Sequence, residues 1–244
     1  MRRTALWVVG GAVLTAFAAA VLYGHAAVAG SAAPRCALST VRGDFDGDGR
    51  LDRAAVYVQR AGCDPIDNPE AVQGRYRLTV SLATGARLHE RLPECDPFCH
   101  TFAAPDLNRH GRHELAIRLV EGASTSFFAV YVVAGRRIER TQLAPPGDPD
   151  FAAPGYFQFP IWGSITHWDD VVCRTARNGA PRVVVAASRN IGATGRWRVH
   201  ETRLAFDEAM ATFSVVGLRN YTTGSIGGLP AIRGSRCIRP VAGV

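Results

Sequence analysis

The stretch GDFDGDGRLDRAAV, residues 43–56, sets Asp44, Asp46, Asp48 and Asp52 within nine positions, with Gly47 and Gly49 among them and an apolar run directly behind. The chain as a whole is basic, with a formal net charge of +7, so this concentration of acids needs a local explanation. Two unpaired carboxylates about 4 Å apart repel by roughly 4 kcal/mol at an effective dielectric near 20. Such crowding invites a cation. Counted from Asp44, side-chain oxygens fall at positions 1, 3, 5 and 9, a glycine at 6 and the backbone carbonyl of Arg50 at 7. Hard oxygen donors in this number suit calcium, and the glycine supplies the sharp turn that gathers them. Magnesium prefers fewer protein ligands and more water. The loop is not an EF-hand, because position 12 is Ala55 where a bidentate glutamate is required, and its flanks have the pattern of strands. The competing reading is a turn rich in Asp and Gly whose acids are solvated.

With Gly49 as anchor, a second copy of the loop stands in PDLNRHGRHELAIRL, where Asp106, Asn108, His110 and Glu114 hold the same relative places around Gly111, 62 residues on. Its charge is lower, and a protonated His110 would oppose a cation. A third copy, CRTARNGAPRVVVA, keeps Asn178 and Gly179 but carries Arg174, Ala176 and Arg182 at the acidic positions; it is expected to be a metal-free turn. Each loop is followed by a strand-like run, RAAVYVQ, ELAIRLV or RVVVAAS, and then by a pair of alternating runs opened by Tyr76, Phe128 or Trp197. Those aromatics are expected to pack in the core. AFDEAM, residues 205–210, reads as the hairpin connection of the third pair, whereas RAGCDPIDNPEAVQG and APPGDPDFAAPGYFQFPIWGS read as loops. Repeats at this interval indicate propeller blades or a similar β unit.

GDFDGDGRLDRAAVYV resembles the calcium loop of FG-GAP or VCBS repeats, the blade unit of propellers of the integrin-alpha type. The resemblance implies calcium caged by Asp44, Asp46, Asp48, the Arg50 carbonyl and Asp52. The first repeat carries it strongly, the second in part (Asp106, Asn108, His110, Glu114) and the third through its glycine and strand pattern. The expected fold is all-β: about three antiparallel meander repeats, near 36–100, 101–165 and 166–240, forming an incomplete or open propeller in one domain over 30–244.

Ahead of this domain, MRR and the uncharged run TALWVVGGAVLTAFAAAVLY lead into GHAAVAGSAA. Residues 1–29 read as an export signal with a small-residue cleavage site at Ala27–Ala29, or as an apolar helix retained as a membrane anchor. The six cysteines, Cys36, Cys63, Cys95, Cys99, Cys173 and Cys237, all follow that segment. In an oxidising compartment they predict three disulfides, and the short CDPFC favours a local Cys95–Cys99 bridge. Cys95, Cys99, His110 and His113 run in zinc-finger order, but their gaps are shorter than a finger uses.

The chain has no lysine, and its 28 basic residues are arginines scattered along 244 positions. That pattern fits a high-GC genome and gives no reason to expect a nucleic-acid partner. TGSIGG around Ser225 lacks a nucleophile elbow, and the histidines complete no triad or metal motif. The expectation is therefore a non-catalytic, calcium-stabilised module that presents loops to a protein or glycan partner outside the cytoplasm, either secreted or tethered by its N-terminal segment.

Overall fold

Three times along the chain, four strands fold back on one another in an antiparallel meander. The computed structural model describes residues 35–59, 75–144, 152–153, 156–225, 228–229, 235–236 and 238. The N-terminal segment, Cys63 and Cys237 lie outside them. The first meander pairs β1 (Arg35–Gly43), β2 (Asp52–Gln59), β3 (Tyr76–Ser81) and β4 (Arg87–Arg91) in order. The second pairs β5 (His100–Ala103), β6 (Leu115–Glu121), β7 (Ser126–Ala134) and β8 (Arg137–Arg140). Next come β9 (Gln142–Ala144), a hairpin of β10 (Ala152–Ala153) and β11 (Tyr156–Phe157), and β12 (Phe159–Gly163). The third meander comprises β13 (His167–Thr175), β14 (Pro181–Asn190), β15 (Trp197–Asp207) and β16 (Thr212–Thr223), and β17 (Ser235–Arg236) pairs with β13. A three-residue 3-10 turn, Gly192–Thr194, joins β14 to β15. The described residues include no α-helix. The sheets are antiparallel except where β9 runs parallel to β16, and they do not close into a barrel.

The strands form where period-two patterning gives them one apolar face. In β3, Tyr76, Leu78 and Val80 are buried while Arg77 and Thr79 are half-exposed. β7 is different: Phe128 to Val133 are all buried. Its odd positions, Ala129, Tyr131 and Val133, join Leu115, Ile117 and Leu119 in a core shared with Val56, Leu78 and Val80 of the first meander. Its even positions, Phe128 and Val130, join Val171, Val183, Val185, Leu204 and Phe213 of the third. The middle meander thus has apolar neighbours on both faces, which is why FFAVYVVA reads as a continuous apolar run and not an alternating one.

The three glycine loops occupy one topological place, the connection between the first and second strands of each meander. Tyr76, Phe128 and Trp197 are all buried, and residues 208–211 form the turn between β15 and β16. Part of the proline-rich stretch read from sequence as a loop is instead strand, first the β10–β11 hairpin and then β12. Its Phe159, Pro160 and Ile161 pair with Phe128, Phe127 and Ser126 of β7, and its Trp162 and Gly163 pair with Asp169 and Trp168 of β13. β12 therefore joins the second and third meanders into one hydrogen-bonded path. Proline is tolerated in so short a strand, and Gly163 is required, since a Cβ there would lie 2.1 Å from the His167 carbonyl oxygen.

Candidate functional site

Asp44, at the end of β1, is the hub of the first loop. Its Oδ1 accepts hydrogen bonds from the amides of Gly47 (2.8 Å) and Asp48 (3.1 Å), and its Oδ2 from Gly49 (2.8 Å). Asp46 Oδ1 accepts from the Asp48 amide at 3.2 Å and Asp48 Oδ1 from the Arg50 amide at 2.8 Å. These are the local side-chain-to-backbone bonds that let Asp compete with regular structure. Gly47 and Gly49 both have φ near +80°, a conformation that glycine adopts without penalty. Behind them Phe45 is fully buried, and its amide donates to Asp52 Oδ2 at 2.8 Å, while Asp52 Oδ1 accepts from the Ala83 amide at 2.7 Å.

The second loop repeats four of these bonds at equivalent positions. Asp106 accepts from the amides of His110 (3.1 Å) and Gly111 (2.9 Å), Asn108 accepts from His110, and Glu114 Oε2 accepts from Leu107 at 2.8 Å. Leu107 is buried as Phe45 is. Arg109 takes φ 59° where Gly47 has 79°, and Gly111 takes 87° where Gly49 has 80°. In the third loop Gly179 has φ 82° and Asn178 accepts from the Ala180 amide, as Asp48 does from Arg50. The first two loops share a left-handed residue at both places, whereas the third keeps only Gly179 and is closed by backbone bonds between Ala176 and Ala180 and from Gly179 to Ala176.

The side chains decide what each loop can hold. The carboxylate oxygens of Asp44, Asp46 and Asp48 lie within 4.8 Å of one another. Desolvation raises the Asp46 carboxyl above its ordinary range, the amide bond from Asp48 lowers it in part, and the charges of Asp52, Asp48 and Asp44 raise it further. Three hard oxygens crowded on an exposed loop fit a divalent cation such as calcium. Asp52 is not one of that trio and carries backbone hydrogen bonds on both oxygens, as Asp44 does; Arg50 reaches out through Nη2 to the Ala83 carbonyl. Asp106, His110 and Glu114 form no comparable group among the described residues. Glu114 is buried, its Oε1 has no partner, and burial pushes its carboxyl up to about 8.

Four residues that fix the site were not among its expected ligands. His113 donates its amide to the Asp44 carbonyl at 2.7 Å and accepts from the Asp44 amide through Nδ1. Arg112 Nε donates to the Phe45 carbonyl (2.9 Å) and meets Glu208 Oε1 at 2.7 Å. Glu208, on the β15–β16 turn, also accepts from Asn108 Nδ2 at 2.9 Å. Gly43 completes the set, because a Cβ there would lie 3.1 Å from both Ala104 and His113. The first two loops are thus clamped to each other and to the third meander. The offset of 62 makes Arg112 the repeat equivalent of Arg50 but does not announce this contact.

Cys95 and Cys99 form a disulfide with a Cα–Cα distance of 5.2 Å. Cys36 and Cys173 are also disulfide-bonded, to partners outside the described residues. A groove of about 1150 Å3 crosses the face of the third meander beside β12, with Phe127, Pro160, His167, Arg189, Arg198 and His200 among its lining. No described helix is long and apolar enough to cross a membrane.

No protein-family model matches this chain, and no curated protein matches it. Among solved structures it is similar to the exotype rhamnogalacturonan lyase YesX, at 14% identity and a TM-score of 0.39, over 76% of this chain and 33% of that protein. The chain thus spans about a third of the length of that structure.

Proposed function

We propose that the protein is an exported β-repeat module of the FG-GAP or VCBS kind, stabilised by calcium in its first loop and serving to bind a protein or glycan partner outside the cytoplasm. One observation carries this reading: Asp44, Asp46 and Asp48 converge within 4.8 Å on a loop whose backbone amides already hold it in shape. Those three side chains would hold the ion, and bound there calcium supplies the positive charge that offsets their mutual repulsion. Asp52 acts differently, fastening the loop to Phe45 and to the β3–β4 turn. A non-catalytic role is the reading that fits loop acids engaged with their own backbone. The groove on the third meander is a second surface on which a partner would seat.

The test is thermal unfolding with millimolar calcium and with chelator. Modules of this extracellular type bind calcium with dissociation constants of about 0.1–1 mM, and at ten times that constant the ion adds about 1.4 kcal/mol. The expected outcome is a higher melting temperature in calcium that Asp46→Ala and Asp48→Ala each abolish. Equal melting temperatures in the parent protein would reject the metal. A tethered envelope protein is the second reading, favoured by the length of the apolar run near the N-terminus. Intact mass of the exported chain separates it from a cleaved, secreted form.

A further inference from the structure

The calcium reading leaves the third loop without a role. At the offset that superposes the loops, Arg174 stands where Asp44 and Asp106 stand, and Arg182 where Asp52 and Glu114 stand. The fold converts this reversal of charge into a local concentration of cations. Arg174 and Arg182 are direct cross-strand partners on β13 and β14. Arg203 lies opposite Val184 on β15, on the same face one step along, and Arg177 projects from the exposed hairpin above. The four arginines, with Asn178 and Val184, line a concavity of about 620 Å3.

Their charges are poorly compensated. Glu201, fully buried beneath, meets Arg174 at 2.9 Å and Arg203 at 3.9 Å, and also accepts the Tyr221 hydroxyl at 3.1 Å. Arg182 gives Nη1 to the Pro181 carbonyl, and neither it nor Arg177 has a carboxylate within ion-pair reach among the described residues. Four guanidiniums against one carboxylate leave three positive charges in excess. Like charges on directly opposed strand positions destabilise a sheet, so an external anion is the natural complement. Two features select its chemistry. The guanidiniums approach from two neighbouring strands, a diagonal position and a loop above, which suits the oxygens of a tetrahedral anion better than one planar carboxylate edge. The excess charge also favours a dianion, and arginine forks match phosphate oxygens in pairs.

We propose that the Arg174, Arg177, Arg182 and Arg203 pocket binds a phosphate group, either free or carried on a lipid headgroup. The site is independent of the calcium loop. Titration calorimetry of the full chain with inorganic phosphate, at low salt and with chelator present, is expected to show saturable one-site binding. Arg177→Gln and Arg182→Gln each remove one charge-assisted contact and weaken binding by about tenfold or more, whereas Arg136→Gln, on the exposed β7–β8 turn, leaves it unchanged. Asp46→Ala also leaves it unchanged, so loss of the calcium site and loss of this one are separately visible. Cosedimentation with phosphatidylcholine vesicles, with and without phosphatidylglycerol, assigns the source. Binding to the anionic vesicles that both pocket variants lose points to the headgroup, and phosphate binding without vesicle binding points to a soluble ligand. No saturable phosphate binding, or equal weakening by Arg136→Gln, overturns the proposal.

Discussion

Glu114 and Asp52 hold equivalent hydrogen bonds seven residues back along their loops, yet Glu114 has the longer side chain, and its second oxygen ends up buried without a partner. Desolvation raises its pKa from 4.5 to about 8, with the amide bond from Leu107 opposing and the charges of Glu208 and Asp106 adding to the rise. The folded state therefore binds a proton that the unfolded state has released between those values. Stability from this group is complete below pH 4.5 and is lost as pH rises through about 8. Glu114→Gln keeps the acceptor and removes the charge. Its urea midpoint is expected to exceed that of the parent near pH 9 and to match it near pH 5, each an approximate setting on either side of the shift; identical pH profiles would show that the carboxyl is ionised when folded. Gly49 offers a cleaner backbone test. A Cβ there meets nothing within 4 Å, but φ is +80°, so Gly49→Ala is expected to cost about 1–2 kcal/mol from backbone conformation alone. An unchanged denaturation midpoint would mean that the loop relaxes out of the left-handed region.

At the scale of elements, the clamp between loops matters more than any one loop. Glu208 receives both Arg112 and Asn108, and the ion pair is largely shielded, with side-chain exposures of 26% and 15% for Arg112 and Glu208. Glu208→Ala leaves the Asn108 amide without this acceptor and Arg112 with the Phe45 carbonyl in place of a carboxylate, for an expected loss of about 1–3 kcal/mol. A double-mutant cycle with Arg112→Ala should return a coupling energy of about 0.5 kcal/mol or more. Strict additivity would show that the two side chains stabilise their meanders independently. The same bridging logic explains β12. Its residues carry no alternating pattern and include a proline, so nothing local marks them as a strand; the N-terminal half of β7, which β8 does not reach, supplies the partner.

For the whole molecule, the stacking of three meanders puts two apolar cores on either side of the middle one. Cys36 near the start and Cys173 in the third meander are both oxidised, as is the local Cys95–Cys99 pair. Titration of the denatured full chain is therefore expected to find no free thiol, and recovery of two or more would contradict an oxidised framework for the chain.

Local chemistry wrote much of this architecture into the chain. The acids, glycines and following apolar runs at offsets of 62 and 68 identified three loops and the strands behind them, because turn geometry and period-two burial depend on near neighbours in sequence. The same residues named the carboxylates that converge, since Asp44, Asp46 and Asp48 are brought together by their own backbone. What only the tertiary structure decided is everything held across distance: the diversion of Asp52 to the Phe45 and Ala83 amides, the His113 and Arg112 clamps, the Glu208 bridge and the union of two meanders through β12. Those contacts join residues tens of positions apart, and no local periodicity encodes which surface a side chain will meet once the sheets stack.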